Sequence, residues 1–357
     1  MIRPVLLMAL AVVGPTAQSQ DPDFDVPEPM PAWVTQGELN LRADRVTGLP
    51  GGRPDLERLR ARLRLGLRWT GTDGLEAGLA VEGARGSDSN TRNRINNDNE
   101  RSDEANLDAL WLGLARPQWR LRAGRDALPI ELSPMLWDID HRPSGLSARI
   151  GRERGFDRWQ LDAGAFAFDH PLGGSARLSA LQLGWHAREG APFGFGAQLA
   201  YLHFGDADEL ALHGLARGNR VDAGGGYRDG FRLLDLQLYG RWHTGAGPLQ
   251  ARLDRVRNLA ADDRADGTRF SLVLGDLATR PGWEAGYAWQ RIQADAVLAA
   301  ANADDWWFHA GARGHMPWIG YSFASGFASV RAAGFFETRD GSASRTDRLL
   351  LDLVLRW

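Results

Sequence analysis

Residues 57–69, ERLRARLRLGLRW, alternate between basic and apolar side chains with a period of two. Leu59, Ala61, Leu63, Leu65, Leu67 and Trp69 fall on one side, and Arg58, Arg60, Arg62, Arg64 and Arg68 on the other. A helix of about 3.6 residues per turn would spread those leucines around its whole circumference, whereas a strand separates the two sets. The alternation recurs at 74–83, 118–124, 158–166, 181–187, 234–242, 250–255 and 282–291. It closes the chain in RLLLDLVLRW, where Leu349, Leu351, Leu353, Leu355 and Trp357 share one face and Arg348, Asp352 and Arg356 lie on the other.

The connections alternate too. Short turns rich in Gly, Pro and Asp (70–74, 116–118, 152–157, 188–192, 244–248, 279–282, 325–326) are interleaved with longer links near 45–56, 86–106, 126–144, 169–175, 205–230, 257–267, 293–305 and 337–347. Short, long, short, long is the layout of a transmembrane antiparallel up-and-down β-barrel. The chain is therefore expected to be all-β, with about sixteen strands and with fourteen or eighteen left open. A strand near 107–115 is apolar on both faces, and one near 313–324 is blurred. Unpaired backbone groups are costly in hydrocarbon, so the last strand must pair with the first, near 33–45. Trp33, Trp69, Trp119, Trp159, Trp185, Trp242, Trp283 and Trp357 all adjoin a short turn or a terminus, which places an interfacial girdle of indoles at one end. A soluble sandwich has no reason to sort its tryptophans in this way.

The 357 residues contain no cysteine, which excludes disulfides, thiolate metal sites and thiol nucleophiles, and the net charge of -3 gives no nucleic-acid signature. Every basic residue is arginine, and glycine (43) and tryptophan (14) are abundant. Residues 1–19 read as a cleaved signal peptide and 20–32 as an acidic, proline-rich periplasmic lead-in, leaving 33–357 as the barrel of an exported protein in the bacterial outer membrane. No cysteine follows the signal, so a lipid anchor there is not expected.

The arginine face of 57–69 must turn inward, away from lipid, toward an at least partly hydrated lumen. Arg120, Arg122, Arg241 and Arg252 extend it on other strands, and Glu38, Asp44, Glu76 and Glu82 are placed to form cross-strand ion pairs with it. A basic wall attracts anions and orients dipolar solutes. The link 128–145, LPIELSPMLWDIDHRPSG, is too apolar for a free external loop. Burying Leu136 and Trp137 in the lumen would make it a constriction, with Glu131, Asp138 and Asp140 across from the arginines. Asp98, Glu100, Asp103 and Glu104 have no ordered Ca²⁺-loop spacing, and the histidines show no metal-ligand pattern, so neither metal nor cofactor is expected. His170, His203, His213 and His315 read as surface residues, and no GxSxG elbow is present.

Residues 107–150, with their AGR step and LWDID stretch, and residues 294–323, which include DAVLAAANADDWWF, resemble corresponding segments of a bacterial outer-membrane porin family with general-porin-like β-barrels. The resemblance covers about a fifth of the chain. It implies an outer-membrane passive-diffusion channel and carries no residue-level substrate determinants. The chain departs from the family pattern in having no helical stretch ahead of the barrel and in its shortened final link and strands.

Three functions fit these observations. The first is a porin passing small hydrophilic solutes, with anion bias from the arginine wall and no catalytic step. The second is a plugged barrel acting through its long loops at 86–106 and 205–230 as adhesin or receptor. The third is a membrane-embedded hydrolase. Expected partners are outer-membrane lipid, the barrel-assembly machinery through the C-terminal strand, and two further copies in a homotrimer.

Overall fold

The structure, a computed structural model, describes residues 33–71, 73–87, 104–187, 192–323 and 326–357. The signal peptide, the lead-in, most of the 86–106 link and the 188–191 turn lie outside these residues. The strands are β1 (Trp33–Thr47), β2 (Leu56–Thr70), β3 (Leu75–Gly86), β4 (Glu104–Arg116), β5 (Trp119–Arg125), β6 (Ser144–Arg154), β7 (Asp157–Asp169) and β8 (Ser175–Ala187). They continue as β9 (Phe193–Gly205), β10 (Phe231–Thr244), β11 (Gly247–Asn258), β12 (Asp266–Leu274), β13 (Gly282–Ile292), β14 (Ala312–Ser322), β15 (Ala328–Arg339) and β16 (Arg345–Arg356). Each pairs antiparallel with its sequence neighbours, and β16 returns to β1, giving a closed barrel of sixteen strands. Closure leaves no open sheet edge.

Period-two patterning decides what each face meets. Leu59, Leu63, Leu65, Leu67, Leu79, Leu181, Leu236, Leu253, Leu272 and Leu351 stand exposed on the outside. Their alternates point inward, among them Gln182, Gln198, Gln237 and Asp254, all buried. A water-soluble fold would not display such a continuous leucine belt, whereas hydrocarbon solvates it. The eight tryptophans anticipated at the short-turn end all occupy outward positions there. Trp33 meets Trp69 with centroids 6.4 Å apart, and Trp159 stacks on Trp185 at 5.9 Å. Phe193, Phe195 and Tyr321 extend the ring beside Trp242, Trp185 and Trp283.

Two irregular strands have local causes. In β4 the pairing with β3 shifts one residue between Ala80 and Val81, so Asp108 bulges and joins Ala109 and Trp111 at the inner face. This is why β4 reads as apolar on both sides. In β14, Pro317 has no N–H to offer β15, and the β14–β15 ladder skips Met316 and Pro317. Tight turns depend on glycine: Gly74 has φ 71°, and a Cβ there would lie 2.1 Å from the Ala115 carbonyl oxygen.

The apolar core lies inside the barrel. Ile130, Met135, Leu136 and Trp137 of the loop 126–143 pack with Leu210, Leu215 and Tyr227 of the loop 206–230 and with Val297 and Leu298 of the loop 293–311. The inner wall supplies Phe166, Phe168, Leu178, Leu202, Phe204, Phe231, Leu233 and Val256 to the same cluster. These wall residues belong to β7–β11, so three loops fill that side of the lumen at its long-loop end.

Candidate functional site

The loop 126–143 crosses from one inner wall to the other. At one end the Glu131 carboxylate accepts from Gln198 on β9 (2.8 Å) and Arg252 on β11 (2.7 Å). The Glu131 carbonyl accepts from Gln182 on β8 (2.6 Å) and Gln237 on β10 (3.1 Å). At the other end Asp140 meets Arg62 at 2.6 Å and Arg64 at 3.7 Å, both on β2. Arg142 reaches the bulged Asp108 at 3.1 Å, and Asp126 pairs with Arg122 at 2.5 Å.

Of the three acidic residues expected across from the β2 arginines, Asp140 alone sits against them. Glu131 faces Arg252 on the opposite wall. Asp138 is buried and joins loop to loop. Its N–H donates to the Ala301 carbonyl (2.8 Å), and its carboxylate accepts from the backbone N–H of Asp140 (2.9 Å) and of Asp304 (3.3 Å). The reason is the loop 293–311, which folds inward beside 126–143. Asn219 fastens its alanine-rich run through the Ala294 and Val297 carbonyls and the Ala299 N–H. Glu337 accepts from the N–H groups of Trp307 and Phe308. In the sequence this link is one of the longer irregular connections, and its run of apolar residues is the same signal that marks 128–145.

The arginine positions divide into two groups. Arg58 and Arg60, placed at the pore wall from sequence, are buried around Asp44 together with Arg348. They lie at the long-loop end, where Trp307 packs with Val46 and Leu49 and excludes water. Arg62, Arg64, Arg68, Arg120 and Arg122 face the lumen and retain solvent contact; Arg68, Arg120 and Arg122 keep 31%, 26% and 21% of their side-chain surface. Arg62 pairs with Glu38 (3.3 Å) and Arg64 with Glu82 (3.2 Å) and Asp108 (3.1 Å). Glu76 is shared by Arg68 (2.8 Å), Arg120 (3.7 Å) and Arg122 (3.8 Å), and with the Asp126 partner of Arg122 counted, three guanidiniums face two carboxylates there. Arg241 has inward parity on β10 and is exposed near the short-turn end.

Trp111 escaped the sequence reading because the Asp108 bulge reverses its expected face. Its indole lies on the inner wall with the Arg122 guanidinium 3.8 Å from the ring centroid. Gly78 leaves room for it, since a Cβ there would meet the ring at 2.3 Å. His170 is buried and accepts from the Leu172 N–H at 3.0 Å, correcting its surface assignment, while His203, His213 and His315 are exposed. The 205–230 link, a candidate for external binding, contributes Leu210, Leu215 and Tyr227 to the interior.

The electrostatics of the loop contact favour an ionised Asp140. Burial works to raise its carboxyl, but Arg62 and Arg64 outweigh burial and hold it well below the ordinary carboxylate range. A fixed negative charge therefore lies against the guanidiniums, and a transverse field crosses the space between loop and wall.

A closed sixteen-strand barrel with loops folded into its lumen and charged groups on its inner wall is the class this architecture defines. No family model and no curated sequence matches the chain. Solved structures of the same fold do. OprB of Pseudomonas putida is similar over 91% of this chain and 94% of its own, with a TM-score of 0.60 and 13% identity. The trimer form of OmpT, an outer-membrane protein of Vibrio cholerae, is similar over 92% and 100% (TM-score 0.50, 13% identity). A triple mutant of the Rhodopseudomonas blastica porin is similar over 91% and 100% (TM-score 0.51, 11% identity). The likeness is one of fold.

Proposed function

We propose that the chain is an outer-membrane porin, a water-filled channel through which small hydrophilic solutes diffuse passively. The observation that carries this reading is the set of inward charged side chains on β2, β3 and β5 that keep solvent contact within a barrel whose outside is apolar. Charged groups in that position need water beside them, and water that runs the length of a closed barrel is a path for solutes. The short-turn end, with its tryptophan ring, faces the periplasm, and the long loops face outward. The barrel belongs in the bacterial outer membrane, a placement supported by its likeness to barrels described as outer-membrane proteins and porins.

Anion bias is the finer part of the proposal. It rests on Glu76 being shared among Arg68, Arg120 and Arg122, and on the exposed Arg241. The loop 126–143 acts as the constriction. Three copies associating as a trimer, and recognition of the terminal strand by the assembly machinery, complete the reading. The V. cholerae structure described as a trimer form supports the first of these. Reversal potentials across a planar bilayer under a salt gradient test the bias: anion preference is expected, and strong cation selectivity would refute it.

A further inference from the structure

The outward face of β11–β14 interrupts the apolar belt with arginine. Arg255 and Arg257 on β11, Arg291 on β13 and Arg313 on β14 all have outward parity and are exposed, at the long-loop end of their strands. They lie close in register: Arg255 is opposite Thr268, Thr268 is opposite Arg291, and Arg291 is directly opposite Arg313. Three strand spacings of about 4.8 Å put the row's ends roughly 14 Å apart. Among the described residues Asp266 is the one carboxylate on this face, and it is already shared by Arg255 (3.3 Å) and Arg257 (3.4 Å). Arg291 and Arg313 have no carboxylate within ion-pair distance among the described residues.

Like charges directly opposite each other on a sheet destabilise it. Elsewhere at this end several outward arginines hold carboxylates of their own: Arg45 has Asp55 and Glu57, Arg177 has Asp206, and Arg345 has Asp347, while Arg232 on β10 stands without one among the described residues but faces no other arginine. Arg291 and Arg313 are set apart by facing each other directly with no carboxylate between them, so an anion from outside the chain is what the site lacks. Nearer the middle of the barrel the same strands present Leu253, Phe270, Leu272 and Tyr287, an exposed apolar strip suited to acyl chains. Next to the arginines, His315 and the Tyr287 hydroxyl are hydrogen-bonded at 2.5 Å.

We infer that this surface binds the phosphorylated headgroup of a membrane glycolipid, with phosphate monoester between Arg291 and Arg313 and acyl chains along the strip below. A monoester offers more charge and more acceptor oxygens to two facing guanidinium forks than a phosphodiester does. The inference rests on the proposed bilayer placement, with the long loops on the outer side.

The test uses the delipidated full barrel in detergent and reads bound lipid by native mass spectrometry. The probes are a bisphosphorylated lipid A, its dephosphorylated form, phosphatidylglycerol, and inorganic phosphate as competitor. The bisphosphorylated lipid should bind at least about tenfold more tightly than the dephosphorylated lipid or phosphatidylglycerol, and millimolar inorganic phosphate should not displace it. Arg291→Gln with Arg313→Gln should abolish that preference, Arg291→Lys with Arg313→Lys should restore part of it, and Arg45→Gln should leave it unchanged. Equal binding of phosphorylated and dephosphorylated lipid, equal binding of phosphatidylglycerol, displacement by inorganic phosphate, or an unaffected double glutamine variant would each overturn the inference. Bilayer conductance of the same preparation separates the two claims: a conducting barrel without the preference refutes this inference alone, and a non-conducting one refutes the channel.

Discussion

Replacing Asp140 by Asn removes one negative charge from the loop contact while keeping an acceptor for Arg62, which lies 2.6 Å from the native carboxylate. The shape of the constriction should change little, so the result isolates charge. A monovalent ion passing about 6 Å from that carboxylate interacts with it by about 0.7 kcal/mol at a water-like dielectric. Salt near 0.1 M roughly halves this value. Losing the carboxylate should therefore favour anions about twofold and disfavour cations about twofold, a change of roughly fourfold in the permeability ratio. Arg62→Gln with Arg64→Gln should shift the ratio the other way. The assay is the reversal potential in a planar bilayer under a salt gradient, read for wild type and both variants. Because Arg62 and Arg64 hold the Asp140 carboxyl well below its ordinary range, its stabilising pairing is present at neutral pH and is lost only as pH falls below the usual carboxylate window. The difference between wild type and Asp140→Asn should therefore persist down to pH ~4. No shift in the Asn variant, or shifts of the same sign in both variants, would refute the proposed field between loop and wall.

Other expectations concern anchoring, assembly and pH. Glu131→Ala removes hydrogen bonds from Gln198 and Arg252, each worth about 0.5–1.5 kcal/mol once solvent screening of the half-exposed carboxylate is counted, so the loop should loosen and single-channel conductance should rise and become noisier. The Trp357 backbone exchanges hydrogen bonds with Gly37 (3.0 and 2.8 Å), and a Cβ on Gly37 would lie 2.2 Å from the indole. Gly37→Leu and Trp357→Asp should therefore both lower the amount of folded barrel in outer-membrane fractions, and normal levels would contradict that role. Burial, aided by Arg217, lowers the His141 imidazole to about 3. The unfolded chain takes up this proton near pH ~6.5 while the folded chain does not, so the residue costs stability progressively as pH drops below ~6.5. His141→Phe should reduce the loss of thermal stability between pH 7 and pH 4.5, and an unchanged loss would refute it.

The strands were legible in the sequence because one face of each meets hydrocarbon, which enforces strict alternation from Arg58–Leu67 to Arg348–Leu355. The tryptophans at strand ends likewise report a fixed physical boundary. Residues inside the lumen carry no such rule. Arg58 and Arg62 look alike in the sequence, yet one is sealed beside Asp44 and the other meets a loop, and the difference depends on where 293–311 folds. The inward turn of 126–143 could be inferred from Leu136 and Trp137, which need burial. Its partners Gln182, Gln198 and Gln237 could not, since each is simply a polar inward residue until Glu131 arrives. The bulge at Asp108 shifts the period by one residue within a single strand, too locally for patterning to locate, and it hides Trp111. The Arg291–Arg313 pair was readable as a break in the apolar alternation once the register of β13 and β14 was known.

The central claim is that the hydrated inner wall is a continuous path across the membrane. Single-channel recording of the purified, refolded barrel in a planar bilayer tests it most directly. Stepwise conductance increments that scale with bulk salt conductivity are expected. A correctly folded barrel that inserts without conducting would contradict the account and would leave the three inward-folded loops as a plug.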